Sequence, residues 1–410
     1  MSWVQTAGSQ RAVRRLSTLT LLGMTGLVLG QACEPVGGDD TGVGLDSEEL
    51  VQLLAVVGPE VVLPALEEFI AEMTTLEDSL ESLELSLQTV DAADARIAAQ
   101  VQWRVAMHRW QVLEVLQIGP AGSSLSAVSG EDLRDEVYSW PTVNKCRVDQ
   151  KTVEAAWDDP GFFGANLVNA YGLDALEHVL FAGEACACPS PVNPVADGSW
   201  DALGAAGVSA NRAAFGRALA AGVLAHGVAL LDFWSPGGGD FSGQLTVSDD
   251  GSPYVSRESA LNAVFDALFY LETVTKDRKL AQPMGLKDCE DTFCLDDLEG
   301  VASNTSLSSI AANLEGFGAL FTGGEGAGMD DLLVSLGHGD LSEQILSDLV
   351  LARATLEASL EEPLADAIAG GSADLDSFYA SLSRVTEALK TDLVTVLVLA
   401  IPSEASGDSD

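Results

Sequence analysis

Asp174 and Glu177 stand three residues apart in Tyr171–Gly183, which reads YGLDALEHVLFAG. Leu173, Leu176, Val179 and Leu180 recur at helical spacing, so this stretch is expected to be a helix. Positions three apart share one side of a helix, which brings both carboxylates to the margin of an apolar face. Paired oxygen donors suit iron(III), calcium, magnesium or manganese better than soft metals. The alternative is an acid pair bridged to Arg104 or Arg109. His178 follows Glu177 directly but projects about 100° round the helix, so it is read as a partly buried neighbour. His108, His226 and His338 are isolated in the sequence.

Other chemistries find no support. There is no His-Glu-x-x-His pair on one helix face and no Gly-x-Ser-x-Gly elbow. Acidic residues outnumber basic ones 62 to 20, a formal charge of −42. Such a surface repels phosphate backbones, which argues against nucleic-acid partners, and it concentrates cations. Diffuse charge of this kind serves solubility or salt tolerance and locates no site.

The elements that must position the acid pair are helical. Arg11, Arg14 and Arg15 precede an apolar run, Leu16–Leu29, shorter than the ~20 residues of a membrane span. Residues 1–32 read as a signal peptide of lipoprotein type, with Cys33 as the lipidated N-terminus; ordinary cleavage after Ala32 is the alternative. Residues 33–45 form a Gly- and Asp-rich flexible tether. No later segment is read as a bilayer span. Residues 46–236 and 255–401 form two halves joined by a polar, glycine-rich loop, 237–254, and 402–410 is a disordered tail. Helices are expected over Glu48–Leu87 with a break at Gly58-Pro59, then Ala92–Ile118, Asp132–Trp140 and Asn166–Ala182. Further helices are expected over Asn211–Trp234, Ser256–Thr275, Ser306–Phe321, Gln344–Leu360 and Ser372–Leu399. This is an all-α chain of helical bundles.

With Cys33 lipidated, five cysteines remain in a compartment that permits disulfides. Cys289 and Cys294 are expected to close a small loop. Cys146 pairs with Cys186 or Cys188, which leaves one thiol over. Cys-x-Cys lacks the spacing of common zinc knuckles.

The motif Gly172-x-Asp174-x-x-Glu177 resembles the Gly-x-His-x-x-Glu signature of the imelysin family, with Asp174 in place of the histidine. The likeness extends in order along the chain. Trp103-Arg104 through Glu114 to Gly119-Pro120 is similar to an early family helix. Arg134-Asp135 with Tyr138-Ser139-Trp140-Pro141 is similar to the family's Trp-Pro turn. Phe265–Tyr270, Lys276–Leu280, Pro283-Met284-Gly285 and Asn313–Gly316 resemble motifs of its second half. The resemblance implies an exported protein of two bundle-like halves in a pseudo-repeat, with a site near their junction. Family members are bacterial surface or periplasmic proteins linked to iron uptake. In the family the motif pair is able to hold a metal; here Asp174 and Glu177 would serve, with Glu114 from a neighbouring helix as third ligand. The expected ligand is a metal ion, iron or another oxygen-preferring cation. The expected partners are the periplasmic or outer-membrane lipid surface, through Cys33, and iron-uptake or other surface proteins. The reading is an exported imelysin-like lipoprotein acting as a binding protein. The alternatives are a metallopeptidase of the imelysin type and a structural or partner-binding lipoprotein with a decayed site.

Overall fold

The computed structural model describes residues 47–247, 251–360, 362–397 and 399. The expected signal peptide, Cys33, the tether and the tail lie outside them. Among the described residues the regular structure is entirely helical.

Helix α1 runs over Glu48–Ser86. Ser47 caps it by accepting from the Leu50 N–H at 3.2 Å. Leu66, Phe69, Met73, Leu76, Leu80 and Leu83 form its buried stripe. Gly58-Pro59 does not break this helix as expected. It sits in a wide π-helical turn, Val57–Val62, that carries the chain onward. The wider turn accommodates the missing proline N–H. Gly58 admits a neighbour closely: a Cβ there would lie 2.2 Å from the Ser242 hydroxyl.

Helix α2, Ala92–Glu114, buries Ala99, Trp103, Ala106, Met107 and Trp110. It stops before the expected Ile118, and Gly119-Pro120 lies in a separate 3-10 turn, Gly119–Ala121. Next come α3, Leu133–Val137, and α4, Lys145–Glu154, capped by the Asn144 side chain. Helix α5, Leu173–Phe181, carries the motif. Helix α6, Ser199–Trp234, starts earlier than expected because a short first stretch, anchored by the buried Trp200, joins it across a kink at Gly204.

Helix α7, Arg257–Leu268, leads into a π-helical segment, Leu271–Ala281, that passes the expected end at Thr275. Then follow α8, Ser306–Thr322, α9, Met329–Ser335, and α10, Gly339–Glu357. Helix α11, Ala373–Glu387, continues through a π turn, Ala388–Leu393.

Helix α1 packs against α2 and α6, and α5 lies on α6, α2 and α4. Helix α2 also packs on α8, so the segments either side of 237–254 share one hydrophobic core. Within that loop, helix Phe241–Leu245 is buried, with the Phe241 ring edge-on to Trp234 at 4.8 Å. The expected pseudo-repeat is not established by this packing. Contrary to expectation, two helices, Glu48–Ser86 and Ser199–Trp234, are long and apolar enough to cross a membrane. In this fold both contribute buried residues to the common core.

Candidate functional site

The motif glycine has a backbone reason. Gly172 has φ of +100° just before α5, and a Cβ there would lie 3.0 Å from the Val137 carbonyl. Helix α5 then buries Leu173, Ala175, Leu176, Val179 and Leu180. The Trp103 indole N–H donates to the Leu173 carbonyl at 3.0 Å, fixing α5 on α2.

Asp174 is buried. Its Oδ2 accepts from the Ser139 N–H at 3.2 Å and the Ser139 hydroxyl at 2.8 Å, and its Oδ1 accepts from the Ala175 N–H at 2.8 Å. Burial pushes the acid up to about 7, against these hydrogen bonds, which favour the ionised form. Glu177 is half-buried. One oxygen, Oε1, accepts from the Ser303 N–H at 2.9 Å and the Ser303 hydroxyl at 2.6 Å. Neither acid takes the arginine partners considered from sequence: Arg104 donates to the Ser303 carbonyl at 3.1 Å, and Arg109 pairs with Glu68 at 2.9 Å.

Glu114 belongs to a different cluster, in the core. Arg134 donates to its Oε1 through both Nε, at 3.0 Å, and Nη2. Lys279 reaches its Oε2 at 3.2 Å. Burial raises Glu114, but Lys279 and Arg134 outweigh it and hold the carboxyl below its usual range. Lys279 also contacts Glu299 Oε1 at 3.1 Å and Gln111 Oε1 at 2.5 Å. Glu299 Oε1 further accepts from Tyr138 at 2.8 Å and Gln111 at 3.0 Å. Asn313 donates to the Gln111 carbonyl at 2.7 Å. Glu114 thus has cationic partners, Arg134 and Lys279, while Asp174 and Glu177 are held by serine donors. Among the described residues, no group of three or more His, Cys, Asp or Glu side chains is arranged to hold a metal ion.

Sequence reasoning did not anticipate this buried network. Its signal was the run Lys276–Leu280, where bases of a base-poor chain concentrate in a segment with buried apolar neighbours.

His178 is buried and pairs with Asp149 at 2.9 Å. Arg212 joins the same Asp149 oxygen at 3.1 Å, and the Ala187 N–H reaches the other at 2.7 Å. Burial raises Asp149, but these partners hold it below the ordinary carboxylate range.

Of the two pairings open for Cys146, the disulfide is Cys146–Cys188, and Cys186 is the free thiol. Cys289–Cys294 closes the expected short loop.

A cavity of about 400 Å³ opens over the motif helix. Asp174 and Glu177 line it from α5, and Tyr138 and Trp140 from the chain after α3. Asp296 and Asp297 line it from a segment more than a hundred residues later. That segment is pinned at two points: Glu299 enters the core network, and Ser303 binds Glu177.

The fold and the motif define a strand-free helical protein, in its described residues, with an acidic motif helix at a cavity. The chain belongs to the imelysin family, whose model matches residues 62–391. It is similar to an imelysin-like protein from Psychrobacter arcticum 273-4, with a TM-score of 0.65 and 18% identity, covering 87% of this chain and 97% of that one. A second similar structure is from Parabacteroides distasonis ATCC 8503 and is named as an iron-regulated protein A precursor. Its TM-score is 0.60 at 15% identity, covering 83% of this chain and 93% of the other. At these identities the likeness shows the fold. No curated protein matches the chain.

Proposed function

We propose that the chain is an exported binding protein, anchored to a membrane through lipid on Cys33, and that its ligand site is the cavity over α5. The observation that carries this is the presence of both motif carboxylates in the lining of one cavity, together with Asp296 and Asp297. Glu177, Asp296 and Asp297, joined by Asp174 as it ionises near pH 7, against the single base Lys145 favour a positively charged ligand, and the charge of −42 acts in the same direction. The name of the Parabacteroides protein, an iron-regulated precursor, supports export and a link to iron.

A bare metal ion caged by Asp174, Glu177 and Glu114 does not fit, because Glu114 is bound by Arg134 and Lys279. A cation in the cavity takes Asp174 and Glu177 as its protein donors and keeps water or other ligands of its own. Iron and other hard cations accept such mixed oxygen shells.

A hydrolytic reading draws on one observation. Asp174, pushed up to about 7, lies in the range that general acid–base chemistry uses. Its test is metal-dependent cleavage of an unfolded protein substrate that disappears in Asp174→Asn.

The binding reading is tested by calorimetric titration of the mature chain with manganese(II), calcium and iron(II), wild type against Asp174→Asn/Glu177→Gln. Binding weakened at least about tenfold in the double variant, a difference of ~1.4 kcal/mol, supports the cavity. Metal binding that is equal in both proteins removes the cavity as a metal site.

A further inference from the structure

We infer that the cavity over α5 is built for a small organic cation, an ammonium or guanidinium compound, rather than for a bare metal ion. This rests on the binding reading above and names the ligand class.

The size of the site is the first argument. A volume of about 400 Å³ lies in the range of small-molecule sites, whereas a metal ion needs only its coordination shell.

The donor arrangement is the second. A hard metal ion draws six or more oxygens to within about 2.6 Å, or keeps its own waters. Here three of the four lining carboxylates already accept hydrogen bonds. Asp174 is held by Ser139 and Ala175, Glu177 by Ser303, and Asp297 Oδ2 by Gln282 at 2.9 Å. The third expected ligand, Glu114, is already paired with Arg134 and Lys279 in the core. Nitrogen cations make no such demand. A carboxylate oxygen has two lone pairs, so it can keep its internal donor and accept an N–H from the ligand.

The wall is the third. Tyr138 and Trp140 are buried aromatics in the lining, and aromatic rings attract ammonium and guanidinium groups. The chain already uses these two rings in that way. The Arg134 guanidinium lies 5.6 Å from the Tyr138 ring centroid, and the Lys279 ammonium lies 5.7 Å from that of Trp140. Exposed Asp296 and Asp297 extend the acidic lining outward, within the same cavity as the motif pair. A compound with two nitrogen cations on a short chain can therefore engage the motif acids at one end and these acids at the other. Lys145, the one base in the lining, is exposed.

The test is calorimetric titration of the mature chain with agmatine and spermidine, and separately with manganese(II), calcium and iron(II), at about 0.15 M salt so that diffuse surface charge is screened. Wild type is compared with Glu177→Gln and Asp297→Asn. Asp297 is exposed, so its variant keeps the fold even if Glu177→Gln loosens it, and far-UV dichroism checks both. The expected result is saturable agmatine or spermidine binding, weakened at least about tenfold in Glu177→Gln and several-fold in Asp297→Asn, with every metal ion at least about tenfold weaker. Metal binding that is tighter than amine binding and is lost in Glu177→Gln would overturn the ligand class and leave the binding site standing. Absence of both amine and metal binding would overturn the ligand class and the binding reading together. Amine binding unchanged in both variants would show association with the acidic surface alone and overturn the inference.

Discussion

Ser303 donates its backbone N–H and its hydroxyl to the same oxygen of Glu177, at 2.9 and 2.6 Å, across 126 positions of sequence. The motif glutamate thus lines the cavity and also holds the segment that supplies the later part of its lining. The middle of that segment is anchored by Glu299, whose carboxylate accepts from Tyr138 and Gln111 in the core.

Removing the latch should loosen the wall. Glu177→Ala leaves the Ser303 N–H without its acceptor, while the hydroxyl can turn to the Gly300 carbonyl; the expected loss is about 1–3 kcal/mol, and Ser303→Ala should cost about 1 kcal/mol. Hydrogen exchange at 300–303 should accelerate in both variants, most in Glu177→Ala. Exchange in this segment that matches wild type would mean that the latch does not hold it.

The buried network should be sensitive to loss of its central cation. Lys279 is almost wholly buried between Glu114, Glu299 and Gln111. Lys279→Met leaves two buried carboxylates short of a counter-charge, and the expected loss is about 3–5 kcal/mol. Urea unfolding measures it. A loss under about 1 kcal/mol would show that the remaining partners, Arg134 and Tyr138, suffice.

Asp174 should leave a mark on the pH dependence of stability. Its folded value of about 7 stands above the ~3.9 of an unfolded aspartate. Between these values the folded chain holds a proton that the unfolded chain lacks. The contribution of Asp174 to stability therefore falls as pH rises from about 4 to about 7, and is level outside that window. The stability difference between wild type and Asp174→Ala should decline across it. A difference that stays flat or rises would place the folded value at or below the ordinary one.

The disulfide assignment makes a distinct chemical prediction. Under non-reducing conditions a thiol reagent should label Cys186 alone among the cysteines after Cys33, and the linked peptides should be those of Cys146 and Cys188. Cys188→Ser should cost about 2–4 kcal/mol, because the bridge closes a long loop. A Cys146–Cys186 peptide in the wild type would contradict the assignment.

The fold was legible where local pattern decides it. The apolar stripe of Ala92–Glu114 and the acid spacing of Leu173–Phe181 follow from helical period. Gly58-Pro59 misled because the π turn that absorbs it is supported by packing on Ser242, far away in sequence. Leu271–Ala281 outran its expected end for a related reason: Glu272 and Lys279 are polar by type, yet each is buried against a distant charge, and Lys276 is buried against Glu272. Glu114 was visible as an acid at a helix end. Its partners Arg134 and Lys279 lie 20 and 165 positions away, so local pattern could not show that its charge is already matched. The cavity wall at Asp296–Val301 carries no helical period to reveal it, because the one short turn there, Leu295–Asp297, is 3-10.

The most direct measurement is a crystal structure of the mature chain grown with agmatine. The account predicts ligand density in the cavity over α5, with a nitrogen within hydrogen-bond distance of Glu177 and the ligand reaching toward Asp296 and Asp297. An empty cavity at saturating agmatine, or ligand bound elsewhere on the acidic surface, would contradict it.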